Sequence, residues 1–136
     1  MRTIFIVSLM FVASCQHMSA KDEEYNVRGR WAWSKEESRC VKNWHRIYVD
    51  DKQNIMMFES SIPFKQRTGE ETRYYKYLIL DHGKNKYHVS LEDENRLDNE
   101  GDPVTWFLIL IDPDTYYWRR SDWEENQGTS FVRRCR

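Results

Sequence analysis

The sequence predicts an all-β fold, a small antiparallel up-and-down β-barrel of about eight strands. Three observations favour this class. Turn segments rich in Gly, Pro, Asp and Asn recur at short intervals, the runs between them are rich in β-branched and aromatic residues, and no heptad or long repeat is present. Closing such strands into a barrel removes the exposed sheet edges. A two-sheet β-sandwich is the alternative architecture.

Eight segments carry the strand pattern, and most are joined by links of hairpin length. Tyr87 and Val89 alternate with polar residues, which is typical of a strand with one face in water. The segment Val104 to Ile111 is apolar on both faces, so we expect something besides the core to cover it. A capping box from Ser34 to Glu37 predicts a single helical turn after the first strand. The predicted strands are 29–34, 43–50, 54–60, 73–81, 86–92, 104–111, 115–121 and 129–135.

The N-terminus predicts export. Thr3 to Ala13 is an apolar run too short to span a bilayer as a helix, and it fits the central region of a secretory signal peptide. The tetrapeptide Val12-Ala13-Ser14-Cys15 resembles the lipobox of bacterial lipoproteins. The resemblance implies a signal peptide over 1–14, a lipid anchor on Cys15 and location at the outer membrane, facing the periplasm. Cleavage after Ala20, giving a soluble secreted or periplasmic protein, is the alternative.

The segment that follows Cys15 is polar and charged, so residues 15–28 are predicted to form a flexible, lipid-anchored tether. The folded domain is then predicted to cover residues 29–136. Lysine and arginine number 21 against 22 aspartates and glutamates, and the formal net charge is −1. This balance gives no basic patch, so we expect no nucleic-acid partner.

Two cysteines, Cys40 and Cys135, remain once Cys15 is lipidated or removed with the signal peptide. An even pair in an exported domain predicts a disulfide. A thiol catalyst or metal site is the alternative, but the sequence has no C-x-x-C and no H-x-x-x-H motif. The acidic segment 92–102 lacks the EF-hand frame. We therefore expect no metal ion and no cofactor.

Aromatic residues make up 15% of the chain and supply the material for a core or for a ligand cavity. Because ligand sites are mostly apolar, we take part of this set as pocket candidates, with core packing and cross-strand pairing as the alternative role. His45 alternates in phase with Ile47, so we expect it to point inward, as a hydrogen-bonded core residue or as a ligand contact. The candidate ligand-binding residues are Trp44, Tyr77, Trp106 and Trp118.

The tripeptide Gly29-Arg30-Trp31 resembles the G-x-W signature on the first strand of lipocalins, and Ser121-Asp122-Trp123 is similar to their T-D-Y element. The closing pair Arg133-Arg134 is similar to the late arginine that packs over the tryptophan in this family. On this resemblance Gly29, Trp31 and Arg133 are assigned structural roles. The body of the chain thus resembles the small lipocalin-like (calycin-type) domains of exported bacterial lipoproteins, which implies a binding module.

We therefore expect a noncatalytic exported protein that binds a small hydrophobic or amphiphilic molecule. The alternative is a cell-envelope interaction protein that binds another protein or a glycan through exposed aromatic residues such as Trp123. An enzyme is not expected, because no nucleophile or acid-base constellation stands out in the sequence.

Overall fold

The computed structural model of the protein describes residues 23–33 and 36–136. Its eight strands close into one antiparallel barrel in the order of the chain, which confirms the predicted fold class. The predicted signal peptide, Cys15 and the first residue of the predicted capping box, Ser34, lie outside the described residues. The elements are β1 (Gly29–Ala32), α1 (Glu37–Lys42), β2 (His45–Asp50), β3 (Ile55–Lys65), β4 (Glu71–Gly83), β5 (Lys86–Leu91), β6 (Trp106–Asp112), β7 (Thr115–Arg120) and β8 (Val132–Arg134).

Every strand pairs with its neighbours in the chain, and β8 returns to pair with β1. Asn54 and Asn85 occupy tight turns with φ of 54° and 58°, a left-handed conformation that asparagine tolerates better than most residues. Strand β3 continues beyond residue 60, where the prediction ends it. It continues past Pro63 because its pairing with β4 shifts register between Glu59 and Phe64, and proline is accommodated at such an irregularity.

The core lies inside the barrel and follows the alternation of the strands. Tyr87 and Val89 are buried, whereas Lys86 is exposed. One segment, Val104 to Ile111, is apolar on both faces, and its outward Phe107 is covered by side chains of the neighbouring strands, described below. The buried hydrophobic cluster comprises Val27, Trp31, Ile47, Met56, Phe58, Tyr87, Val89, Leu108, Leu110, Tyr116, Trp118 and Val132.

On the outer face of β6, Phe107 is covered by two cations and one ring, whereas Ile111 is exposed. The Lys86 ammonium lies 4.4 Å and the Arg119 guanidinium 5.1 Å from the centre of the Phe107 ring. The imidazole of His88 stacks on the same ring at 4.5 Å. Contacts of this kind, cation–π and ring stacking, shield apolar surface while the charges stay in water.

One end of the barrel is closed by the chain that precedes β1. Val27 is fully buried, and its carbonyl accepts a hydrogen bond from the Trp31 indole at 2.8 Å. The Tyr25 amide donates to the Asn85 side chain at 2.6 Å, and the Asn85 amide group donates to the Glu23 carbonyl at 2.8 Å. The segment 23–28 therefore covers the apolar end of the core.

The late arginine that packs over Trp31 is Arg134, and not Arg133 as predicted. Its guanidinium lies 4.2 Å from the Trp31 ring centre, and it donates to the carbonyls of Asn26, Arg28 and Pro113. Arg133 points the other way, because neighbouring residues on a strand face opposite sides. It donates to the Thr115 hydroxyl at 2.9 Å.

The predicted disulfide is confirmed. Cys40 and Cys135 are bonded with a Cα–Cα distance of 5.5 Å and a sequence separation of 95. The bond joins α1 to the residue that follows β8, and the Cys135 amide also donates to the Arg30 carbonyl at 2.8 Å. The disulfide therefore reinforces the junction between the first and last strands.

Across residues 23–33 and 36–136, no helix has the length and apolar character needed to cross a bilayer.

We predict that Arg134→Ala lowers the free energy of unfolding by about 2–4 kcal/mol, because it removes a cation–π contact and leaves three carbonyls without their charged donor. Urea denaturation followed by tryptophan fluorescence measures this loss. Arg133→Ala is the matched control, and we expect it to cost about 1 kcal/mol, the value of a single side-chain hydrogen bond. Equal losses for the two variants would contradict the assignment of the closing role to Arg134.

Candidate ligand-binding site

The end of the barrel opposite the N-terminal segment contains a cavity of about 260 Å³ that opens to solvent. Strands β2, β3, β4 and β7 supply most of its wall through inward-facing positions, and the connection that carries α1 supplies the rest. The barrel is thus filled at one end and open at the other. The cavity is lined by Trp33, Asn43, Trp44, His45, Phe58, Ser60, Tyr75, Tyr77, Tyr116 and Trp118.

Strand register brings these side chains to the same level. His45 on β2 pairs with Ser60 on β3, and Phe58 on β3 pairs with Tyr75 on β4. Because directly opposite residues on antiparallel strands share a face, the inward orientation of His45 extends to all four. The predicted alternation of His45 with Ile47 is confirmed, since both are buried.

Ring contacts fix the walls. Tyr77 stacks on Trp118 with ring centres 5.5 Å apart and an interplanar angle of 26°. Phe58 meets Tyr77 edge to face at 5.3 Å, and Tyr75 stacks on Phe64 at 4.1 Å. Such pairs stabilise beyond the area they bury. The cavity is therefore bounded by rings that hold one another in place.

Three of the four predicted ligand-binding residues, Trp44, Tyr77 and Trp118, line the cavity. The fourth, Trp106, does not. It meets Trp118 edge to face at 6.4 Å, outside the lining set, because loop residues after β5 hold its indole. The Trp106 Nε1 donates to the Glu94 carboxylate at 3.0 Å, and the Arg96 guanidinium lies 4.8 Å over its ring.

Glu94 is the central residue of the group that holds the Trp106 indole. Its side chain is only 2% exposed and forms an ion pair with Arg96 at 2.6 Å. Burial opposes its ionisation, but hydrogen bonds from Arg96 and Trp106 outweigh burial and lower the pKa of the Glu94 carboxyl to about 2. The ionised carboxylate therefore fixes Trp106 against the back of Trp118.

The acidic segment 92–102, which lacks the EF-hand frame, brings three carboxylates together. Carboxylate oxygens of Asp98, Glu100 and Asp102 lie within 4.8 Å of one another. The Asp98 carboxylate already accepts hydrogen bonds from the backbone amides of Glu100 and Asp102, at 2.9 and 3.0 Å. These bonds explain the convergence as a local turn.

Two buried lining residues, His45 and Tyr116, are polar and face each other. The His45 Nε2 and the Tyr116 hydroxyl are 2.5 Å apart, and the Tyr116 ring packs against Trp31 at 4.8 Å. Burial lowers the pKa of His45 to about 4 and raises the pKa of Tyr116 well above 10. Near neutral pH both side chains are uncharged, and they satisfy each other.

Charged side chains are absent from the ten residues that line the cavity. The Arg30 guanidinium lies behind the wall, 4.5 Å over the Trp44 ring, and donates to the Cys40 carbonyl at 2.6 Å. One face of Trp44 is therefore covered by a cation while the residue contributes to the cavity wall.

Sequence reasoning missed several cavity residues, namely Trp33, Asn43, Phe58 and Ser60. The signal that would have found Phe58 and Ser60 was present, because both alternate inward on β3. Their height in the barrel depends on pairing with β2 and β4, which the sequence alone does not state. Trp33 and Asn43 flank α1, and their approach to the mouth follows from how that connection folds back.

No protein-family model, no curated protein and no solved structure matches this chain. The closed eight-stranded antiparallel barrel is compatible with a lipocalin-like fold. Since one fold hosts many functions, the functional argument depends on the cavity itself.

We predict that His45 makes the protein less stable as the pH falls. The unfolded chain takes up this proton near pH 6.5, whereas the folded protein does so only near pH 4. Lowering the pH through that window therefore favours unfolding, by about 3 kcal/mol at pH 4 relative to pH 7. Urea denaturation at a series of pH values measures the slope.

His45→Gln is the control for this prediction, because it keeps a polar side chain and removes the titration. We expect its stability to fall less than that of the unaltered protein between pH 6.5 and 4. The difference isolates His45, since His88 and Glu94, whose pKa values are also lowered, titrate in both proteins. Parallel pH profiles for the two proteins would show that His45 is not held neutral by the fold.

Proposed function

We propose that the protein binds a small hydrophobic or amphiphilic molecule, without catalysis, in the cavity at the open end of the barrel. One observation carries this proposal: seven of the ten lining residues are Trp, Tyr or Phe, and the cavity that they line has a volume of about 260 Å³. Drug-sized ligands occupy sites of about 300–1,000 Å³. The cavity therefore suits a molecule of one or two rings, or a short amphiphile.

The exposed aromatic surface supports a binding role. Trp33 and Tyr75 at the mouth are 46% and 37% exposed. Apolar surface in water costs about 25 cal/mol per Å², so a barrel selected for stability alone would fill this space. A ligand that covers these rings recovers that free energy.

The polar groups support binding rather than catalysis. The Ser60 hydroxyl, the only serine hydroxyl among the ten described lining residues, donates to the Ile62 carbonyl at 2.7 Å and accepts from the Ile62 amide. Cys40 and Cys135 are joined in the disulfide. His45 is paired with a tyrosine, whose pKa is raised, and not with a nucleophile that it could activate.

We also propose that the domain is the lipocalin-like (calycin-type) module of an exported lipoprotein, anchored through Cys15 at the outer membrane and facing the periplasm. The disulfide supports an oxidising compartment. The chain enters the barrel at its closed end, through Tyr25 and Val27. An anchor on this chain would hold the closed end, leaving the mouth accessible. A soluble secreted or periplasmic protein is the alternative.

A second candidate function is supported by the outer face of β4. Tyr74, Leu78 and Leu80 project outward and are 52%, 51% and 48% exposed. Exposed apolar rows of this kind occur at protein–protein contacts. They favour the alternative of an envelope protein that binds another protein or a glycan.

We predict that the purified protein binds the neutral fluorescent probe N-phenyl-1-naphthylamine and that Ser60→Leu weakens this binding at least about tenfold, because the larger side chain fills the cavity. Fluorescence titration measures the affinity. Ser90→Leu is the matched control, since Ser90 pairs with the outward Leu78 on the other face of the sheet. Thermal denaturation of both variants verifies that they fold.

A protein that binds no probe, or one in which Ser60→Leu and Ser90→Leu bind equally well, would contradict binding in the cavity. Cross-linking then tests the second candidate, binding of an envelope partner through the outer face of β4. It is favoured if one partner is captured stoichiometrically by the unaltered protein and by Ser60→Leu, but not by Leu78→Asp.

We predict that Cys15→Ser moves the protein from the membrane fraction to the soluble periplasmic or secreted fraction, because the acyl chains would be lost. Cell fractionation and the intact mass of the N-terminal peptide measure the change. The variant Ser14→Ala, which keeps Cys15, is the control and should remain on the membrane. Membrane association of Cys15→Ser equal to that of the control would contradict the anchor.

A further inference from the structure

The polar groups of the cavity differ in how they are satisfied. His45 and Tyr116 bond to each other, and Ser60 bonds to the Ile62 backbone. The Tyr77 hydroxyl has no hydrogen-bond partner among the described residues, although its ring lies in the wall. A half-buried hydroxyl without a hydrogen-bond partner is available to bond a ligand.

Tyr77 is held in place for such a contact. Its ring stacks on Trp118 and meets Phe58 edge to face. Burial raises the pKa of its hydroxyl, with the neighbouring Tyr75 acting in the same direction. The hydroxyl therefore keeps its proton at physiological pH and serves as a donor.

The charges around the cavity disfavour an ionic ligand. A carboxylate would find no cation among the described lining residues, because Arg30 lies behind the Trp44 ring and bonds to the Cys40 carbonyl. Ring faces attract an ammonium, but the described lining residues include no carboxylate to neutralise it, and the Arg30 guanidinium, 4.5 Å from the centre of the Trp44 ring, repels it. The ion pair nearest to Tyr77, Glu94 with Arg96, is closed on itself at 2.6 Å. Burying a charge without a partner is costly.

The shape of the walls favours a flat molecule. Tyr77 lies nearly parallel to Trp118, and His45 lies nearly parallel to Phe58, each with an interplanar angle of 26°. These pairs present rings and ring edges at fixed angles. A planar aromatic ligand can meet such surfaces by offset stacking or edge contacts without displacing them.

We propose that the ligand is an uncharged planar aromatic molecule that carries a hydrogen-bond acceptor, such as a carbonyl or a ring nitrogen, and that the Tyr77 hydroxyl donates to this acceptor. The proposal rests on the proposed binding function and specifies its ligand class. Tyr77 determines which aromatic molecules bind, and the remaining rings provide the apolar enclosure.

Four naphthalenes of one ring system test the proposal by equilibrium dialysis against the purified protein. They are naphthalene, 2-acetylnaphthalene, 2-naphthoate and 2-naphthyltrimethylammonium. We expect 2-acetylnaphthalene to bind about five- to tenfold tighter than naphthalene, as one net hydrogen bond allows. The two ions should bind at least about tenfold more weakly than 2-acetylnaphthalene because each lacks a counter-charge.

Tyr77→Phe should reduce the affinity for 2-acetylnaphthalene to that for naphthalene and leave naphthalene binding unchanged. Tyr74→Phe removes a hydroxyl from the outer face of the same strand, away from the cavity, and should change neither affinity. Tighter binding of either ion, or equal effects of the two variants, would overturn the proposal. If N-phenyl-1-naphthylamine still binds in that case, the cavity function stands and only the ligand class fails. If neither it nor any of the four naphthalenes binds, the proposed function itself fails.

Discussion

The barrel depends on the junction between its first and last strands. Strands β1 and β8 are the shortest, and only two residue pairs, Trp31 with Arg134 and Ala32 with Arg133, join them. Backbone pairing of that length is weak, so side chains provide much of the closure. Arg134 covers Trp31 and donates to carbonyls of the segment before β1 and of the turn between β6 and β7, and the disulfide begins at the next residue. Without this closure there is a curled sheet and no lumen to line.

Closure at one end and the cavity at the other are linked through Tyr116. Its ring packs against Trp31, and its hydroxyl meets His45 in the cavity wall. One side chain therefore belongs both to the packed core and to the cavity wall. Its cross-strand neighbours, Leu110 and Val132, are buried aliphatic residues, so this ring lies where the aliphatic core meets the aromatic wall of the cavity. How deep the cavity reaches is set by where this ring lies.

Much of the fold could be predicted from the sequence, because turn residues separate the strands and two-residue alternation assigns their faces. The eight strands and the inward direction of His45 were accessible in this way, and the even pair of cysteines predicted the Cys40–Cys135 bond. The position of a side chain along the barrel was not, since it depends on register between strands. Trp106 and Trp118 show this: both are aromatic residues of neighbouring strands, yet only Trp118 reaches the cavity. In a strand of three residues, a one-residue difference also exchanges the faces, which separates Arg134 from Arg133.

The disulfide also sets a mechanical limit on the domain. Force applied to the chain before residue 23 would act first on the hydrogen bonds of Tyr25 and Val27, and then on β1. Once β1 detaches, extension of the chain reaches Cys40. There the disulfide passes the load directly to Cys135, which lies 95 residues further along the sequence. Strands β2 to β8 lie within the loop between these two cysteines and are bypassed by the load. The protein can therefore lose its first strand under tension while the rest of its sheet remains unstretched and able to recapture it.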